Sequence, residues 1–114
     1  MSNRIKDILE EYVKGLSKII GKSLERVILY GSYARGEQDT NGEISDIDIM
    51  ILVNLTEEEI RKLEKKIMDY SYELDLEYDI LLSPIIENFE NYTNRIKYMS
   101  FYKNIEKEGV LLNG

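Results

Sequence analysis

The stretch Asp46-Ile47-Asp48-Ile49-Met50-Ile51-Leu52-Val53 decides how the rest of the sequence is interpreted. It begins in strict alternation and ends as a continuous apolar run, which predicts a central strand whose first half projects polar groups from one face. Side chains two residues apart on a strand leave from the same face, so Asp46 and Asp48 would be neighbours there, separated by roughly 6.5–7 Å of backbone rise. Ile47 and Ile49 would point the other way, into the core.

This carboxylate pair predicts a cation site. Two like charges on one strand face repel each other unless a cation lies between them. Mg²⁺ held by one or two carboxylates plus substrate phosphates is a usual arrangement of hard oxygen ligands. The alternative is that the pair simply forms a solvated strand end, because exposed carboxylates are common.

A possible phosphate site precedes the pair in the chain. Arg26–Tyr30 is apolar and β-branched, which predicts a buried strand, and it leads directly into Gly31-Ser32 and a helical turn at 33–35. A glycine there lets the backbone approach a ligand closely, and amide groups at the start of a helix attract phosphate. Ser32 would add a hydroxyl. A plain turn is the alternative explanation.

Arg35 is a further candidate for this phosphate site. Its planar guanidinium suits phosphate oxygens. A surface ion pair with Glu37 or Asp39, in the polar loop predicted over 37–45, is the alternative role for this side chain.

A third carboxylate is predicted on a further strand over 77–83. If that strand pairs beside the first carboxylate strand, Asp79 can reach the same sheet edge. Glu77 shares the parity of Asp79 and is its rival, but the apolar neighbours of Asp79 would place it deeper in the sheet. Pro84 interrupts the strand pattern, which 85–86 can continue.

The remaining elements complete an α/β (α+β) fold: a small mixed sheet of about four strands flanked by helices, in one domain spanning 1–114. Apolar residues at helical spacing predict five helical segments in all, and Val110–Leu112 a closing strand. Predicted start signals are Asn3 as the N-cap of a helix over 3–20, a capping box formed by Thr56 and Glu59, and Asn88 as the N-cap of a short helix. Predicted stop signals are Gly21 after the first helix and Gly109 after the last one.

Composition narrows the chemistry. The chain has no cysteine and no histidine, so any reaction must rest on carboxylates, hydroxyls, backbone amides and hard cations. A net charge of −7 argues against direct nucleic-acid binding and favours a small substrate carried with Mg²⁺, or a basic protein partner. No apolar run approaches the length of a membrane span, and we expect a cytoplasmic protein.

Two motifs together resemble a known signature. Gly31-Ser32-Tyr33-Ala34-Arg35-Gly36, followed by Ser45-Asp46-Ile47-Asp48-Ile49, is similar to the signature of the DNA polymerase β-like nucleotidyltransferase superfamily. Asp79 matches the family's third carboxylate. The ending Phe101-Tyr102-Lys103-Asn104-Ile105 with Glu108-Gly109 resembles the small stand-alone members called minimal nucleotidyltransferases (MNT). The resemblance covers about 24–112.

The resemblance implies the polymerase β-like fold and two Mg²⁺ ions held by Asp46, Asp48 and Asp79. It also implies that Gly31 and Ser32 contact the nucleotide phosphates and that ATP donates AMP. Many such proteins are antitoxins of HEPN-domain toxins, and some adenylylate a tyrosine of the toxin. Two other functions stay open: a non-catalytic antitoxin, or a subunit of a small-molecule (antibiotic) nucleotidyltransferase. Both homo- and hetero-oligomers are compatible with the sequence.

The aromatic residues near the C-terminus have two possible roles. Tyr92, Tyr98, Phe101 and Tyr102 lie at spacings typical of core positions on helices. The alternative is that they form a face on which a partner docks.

Overall fold

The computed structural model describes residues 1–36 and 46–113. The predicted loop over 37–45 therefore lies outside the described residues. The elements in chain order are α1 (Asn3–Ile20), a 3₁₀ turn (Gly21–Ser23), β1 (Leu24–Tyr30), α2 (Ser32–Arg35), β2 (Ile47–Val53), α3 (Glu57–Tyr78), β3 (Leu82–Asn88), α4 (Phe89–Arg95), α5 (Ser100–Glu108) and β4 (Val110–Leu111).

The four strands form one mixed sheet in the order β3-β2-β1-β4. β1 pairs antiparallel with β2 and with β4, whereas β2 and β3 are parallel and are connected through α3. A parallel pair needs such a crossover, which a helix of this length supplies. The predicted fold class, a small mixed sheet of about four strands flanked by helices, is confirmed.

Helices cover both faces of the sheet. The odd-numbered side chains of β2, from Ile47 to Val53, pack in the larger core cluster with α1 and α3. Met50 and Leu52 point the other way and pack with Tyr92 of α4 and Tyr102 of α5. Because side chains alternate along a strand, Asp48 shares the face of Met50 and Leu52.

The aromatic residues near the C-terminus divide between core and surface. Tyr92 and Tyr102 are buried, as the core prediction required. Tyr98 is 71% exposed and Phe101 is 45% exposed, so these two side chains are not core residues.

Most helix boundaries follow their predicted caps. Thr56 and Glu59 form the capping box of α3, in which the Glu59 N–H donates to Thr56 Oγ1 (3.2 Å) and the Thr56 N–H donates to Glu59 Oε1 (3.1 Å). Gly21, with φ 75°, ends α1 as predicted. The predicted N-cap Asn3 is wrong: Ser2 holds the extended cap conformation, and its hydroxyl accepts the Ile5 N–H.

The predicted third strand over 77–83 is also wrong. α3 continues to Tyr78, and Asp79 ends it in the left-handed conformation (φ 53°, ψ 53°), which Asp tolerates better than most residues. The strand starts only at Leu82 and runs through Pro84. β3 is an edge strand, where a missing backbone donor is acceptable.

Asp75 explains where the strand begins. Its backbone carbonyl accepts the N–H groups of Asp79 and Ile80, and its carboxylate accepts the N–H of Leu82 at 2.8 Å. These bonds fix the turn between α3 and β3. Within the described ranges, no helix is both long and apolar enough to cross a bilayer.

Candidate active site

Asp48 lies at the start of the central strand β2, where three strands meet. Its register partners are Tyr30, the last residue of β1, and Ser83 of β3. Asp48 is half-buried, whereas Asp46, one residue before the strand, is exposed. The predicted strand over 46–53 thus starts one residue later than expected.

The electrostatics of Asp48 reflect its neighbours. Burial raises the pKa of the Asp48 carboxyl above its usual value, and the negative charge of Asp46 raises it further. The positive charge of Arg35 acts in the opposite direction. A carboxylate whose charged form is disfavoured by burial and by a like charge is stabilised when a cation binds beside it.

Gly31 brings the two predicted motifs into contact. Its backbone has φ 75° and ψ −153°, a conformation essentially reserved for glycine. A Cβ added at Gly31 would overlap Asp48 Oδ2 and would lie 3.2 Å from Asp48 Cγ. Only a residue without a side chain satisfies both the backbone angle and this close approach.

The turn after Gly31 is helical, as predicted. α2 begins at Ser32, one residue before the predicted start, and the Arg35 N–H donates to the Gly31 carbonyl at 3.2 Å. Gly36 ends the turn in the left-handed conformation with φ 72°. The first amides of a helix have no acceptor within the helix, so this turn directs N–H donors toward the end of β1.

Arg35 is held near the C-terminal end of α5. Its Nη1 lies 3.7 Å from Glu108 Oε2, and both side chains are partly exposed. The alternative predicted partners, Glu37 and Asp39, lie outside the described residues. Because its charge also influences Asp48, Arg35 links the carboxylates to α5 electrostatically.

A cleft of about 230 Å³ opens between α5 and the end of β1. Phe101, Asn104 and Glu108 contribute one wall, and Tyr30, Gly31 and Arg35 contribute the other. No pattern in the sequence predicted this cleft. The sequence predicted a last helix that ends at Gly109, but nothing local in the sequence identified β1 as the neighbour of that helix.

The structure does not join the third predicted carboxylate to the pair. β3 pairs beside β2 as expected, but the residue opposite Asp48 is Ser83, and Asp79 lies three residues before β3. Asp79 and its rival Glu77 are both exposed. Among residues 1–36 and 46–113, no group of three or more acidic side chains is arranged to hold a metal ion. The third-ligand role of Asp79 stays a prediction.

Comparison with known proteins identifies the family. The nucleotidyltransferase domain model matches residues 4–112. A candidate protein adenylyltransferase of Methanocaldococcus jannaschii is 43% identical over 104 residues, which cover 91% of this chain and 94% of that protein. A second candidate protein adenylyltransferase of the same organism is 31% identical over 104 residues, covering 91% and 93%. The chain therefore belongs to the nucleotidyltransferase domain family, a family of enzymes.

Solved structures share the fold. A toxin–antitoxin complex with AMP-PNP contains a chain that is 22% identical, with a TM-score of 0.52, covering 92% of this chain and 73% of that one. The mutant toxin–antitoxin complex MntA–HpeT has a chain that is 19% identical, with a TM-score of 0.51 and the same coverage. The resemblance seen in the sequence motifs is confirmed.

Proposed function

We propose that this chain is a Mg²⁺-dependent adenylyltransferase that moves AMP from ATP onto a tyrosine hydroxyl of a HEPN-type toxin and so acts as an antitoxin. The observation that carries the proposal is the contact of Gly31 with Asp48, which joins the Gly-Ser turn and the carboxylate pair in one site. Relatives named as candidate protein adenylyltransferases support the acceptor class. The solved neighbour with AMP-PNP supports ATP as the donor.

The carboxylate pair suits Mg²⁺. Asp46 and Asp48 offer hard oxygen ligands, and the raised pKa of Asp48 means that the pair gains when a cation offsets its charge. When bound, Mg²⁺ neutralises phosphate charge and favours ionisation of the attacking hydroxyl. The family resemblance implies a second ion held by the same pair with Asp79, although Asp79 lies apart from the pair, before the start of β3.

The other side chains orient the nucleotide. The backbone at Gly31 and the hydroxyl of Ser32 bind phosphate oxygens, and the start of α2 supplies N–H donors. Arg35 turns from Glu108 toward the phosphates, where a guanidinium forms two parallel hydrogen bonds. The chain has no histidine, so a carboxylate or a metal-bound water would take the acceptor's proton, and the family resemblance implies Asp79 as the carboxylate.

The acceptor is expected to be a basic protein in the cytoplasm, where ATP is available. The net charge of −7 favours such a partner. A solved neighbour is itself part of a toxin–antitoxin complex.

Intact mass of the partner tests this proposal. The tagged chain is purified from its own host with bound protein and incubated with Mg²⁺ and ATP, and the partner should gain the mass of AMP. Asp46→Asn with Asp48→Asn should abolish the gain. Asp7→Asn with Asp69→Asn, two exposed carboxylates outside the site, removes the same charge and should leave the gain unchanged.

A non-catalytic antitoxin is the second candidate, because the solved neighbours are toxin–antitoxin assemblies. In that case the partner stays bound and its mass does not change with the wild-type chain. The double Asp46/Asp48 variant would then neutralise the partner as well as the wild type does.

A further inference from the structure

We propose that the cleft between α5 and the end of β1 is the base subsite of this nucleotide site, in which Phe101 packs on the adenine ring and Asn104 hydrogen-bonds to its edge. The inference rests on the proposed function, because it takes the triphosphate to lie at Gly31 and the carboxylates. It adds binding and specificity residues that neither motif contains.

The position of the cleft supports this assignment. Gly31 lines the cleft, and the same residue abuts the Asp48 carboxylate. One residue therefore separates the space beside α5 from the carboxylates. A ligand that enters the cleft and also reaches Asp48 must pass over Gly31.

The volume of the cleft indicates what part of a ligand it accommodates. About 230 Å³ is below the roughly 300–1,000 Å³ typical of pockets that enclose a whole small molecule. The cleft thus has room for one moiety, and the rest of the nucleotide would lie outside it, along the carboxylates.

The chemistry of the walls favours a base. The rings of Tyr30 and Phe101 meet edge to face at 5.8 Å and present aromatic surface, on which bases stack. The amide of Asn104 can donate to and accept from an adenine edge. The carboxylate of Glu108 can accept from an exocyclic amino group, and it would repel a phosphate.

Arg35 is the one lining residue that would favour phosphate instead. It lies 3.7 Å from Glu108 on the opposite wall, and in the proposed function it turns to the phosphates, which leaves the Glu108 carboxylate to face the base. The experiment below therefore compares ATP with tripolyphosphate, which has the phosphates and lacks the base.

The wall formed by α5 is fixed before any ligand binds. Tyr102 follows Phe101 in the chain, and its hydroxyl donates to Glu87 Oε1 at 2.6 Å. Arg95 Nη1 donates to the other carboxylate oxygen, Glu87 Oε2, at 3.1 Å. At the other end of α5, a Cβ on Gly109 would overlap Ile28, so this glycine lets the helix end lie directly on β1. A preorganised wall loses little conformational entropy when the base binds.

Equilibrium binding of Mg²⁺-ATP and of Mg²⁺-tripolyphosphate tests the subsite. Phe101→Ala should weaken ATP binding about 5- to 150-fold, the equivalent of ~1–3 kcal/mol for a stacked base, and leave tripolyphosphate binding unchanged. Phe101→Tyr, which keeps the ring, should retain ATP affinity. Tyr98→Ala removes an exposed aromatic side chain that does not line the cleft, and it should bind both ligands like the wild type.

Asn104 provides a second test at an exposed position where folding is not at risk. Inosine triphosphate replaces the amino group of ATP with an oxygen. The wild type should prefer ATP to inosine triphosphate, and Asn104→Ala should lose most of that preference.

Four results would overturn the assignment. Phe101→Ala could bind ATP as tightly as the wild type does. It could also lose affinity for ATP and for tripolyphosphate equally, which would show that the ring stabilises the phosphate site and does not bind the base. Alternatively, the wild type could bind tripolyphosphate as tightly as ATP, which would remove the base contact while leaving the proposed function intact. A wild-type chain that binds neither ligand would refute the proposed function together with the subsite.

Discussion

Gly31→Ala tests the contact that joins the two motifs. The substitution has two separable effects. The first is backbone strain, because a residue with a side chain at φ 75° and ψ −153° costs on the order of 1–3 kcal/mol. The second is displacement of Asp48, because the new Cβ would overlap its carboxylate oxygen.

Gly21→Ala is a matched control for the strain. Gly21 has φ 75° and ψ −143°, nearly the conformation of Gly31, but a Cβ there would meet nothing within 4 Å. Both variants should therefore lose about 1–3 kcal/mol of folding stability, which corresponds to roughly 4–12 °C in Tm for a chain of this size.

The two variants should differ in activity. Moving the Asp48 carboxylate by ~1 Å should reduce AMP transfer on the order of 10²-fold in Gly31→Ala, because reacting groups tolerate little misplacement. Gly21→Ala should transfer AMP like the wild type. Tm is measured by thermal denaturation, and transfer by label from ATP below the lower Tm. Equal activity in both variants would refute the view that the Gly31–Asp48 contact organises the site.

Three further predictions address the metal, the third carboxylate and the α3–β3 turn. With Mg²⁺ present, ATP at about 100 times its own Kd should raise the Tm of the wild type by roughly 10 °C and leave the Tm of Asp48→Asn unchanged. An equal rise in Tm in the two proteins would show that Asp48 is not part of the site. Asparagine tolerates the left-handed conformation found at position 79, so Asp79→Asn should keep the fold and lower AMP transfer at least about tenfold, because a proposed metal ligand is lost. Glu77→Gln should transfer AMP nearly like the wild type. The reverse ranking would assign the third ligand to Glu77. Asp75→Ala should cost about 1–3 kcal/mol in thermal denaturation, because the Leu82 N–H loses its acceptor, whereas Asp75→Asn keeps an acceptor oxygen. Burial raises the pKa of Asp75 in the folded chain, so the wild type should lose stability relative to Asp75→Asn as the pH rises above 3.8, the ordinary pKa of this carboxyl group. A relative gain would contradict this sign.

The parts of the site that could be predicted from sequence are local. The alternation in β2 assigned Asp46 and Asp48 to one face, and a glycine after a buried strand indicated the Gly31-Ser32 turn. Register then placed Tyr30, the residue before that turn, opposite Asp48. The sequence thus indicated the carboxylate pair and the Gly31-Ser32 turn separately, but not the contact between Gly31 and Asp48.

The errors occurred where long-range contacts decide the structure. Residues 75–81 suit either a helix end or a strand start by local propensity. The hydrogen bond from the Leu82 N–H to the Asp75 carboxylate favours the helix, and this contact cannot be read from local periodicity. The cleft beside α5 escaped prediction for a similar reason, since its walls come from residues about 70 positions apart in the sequence, such as Tyr30 and Phe101.

We propose that Gly31, Ser32 and the Asp46/Asp48 pair form one Mg²⁺-dependent site that transfers AMP. The most direct measurement compares ATP labelled at the α-phosphate with ATP labelled at the γ-phosphate, each added with the chain and Mg²⁺ to an extract of its host. We expect that the α-label enters a protein, that the γ-label does not, and that Asp46→Asn with Asp48→Asn abolishes the labelling. Transfer of γ-label, or α-labelling that persists in the double variant, would contradict it.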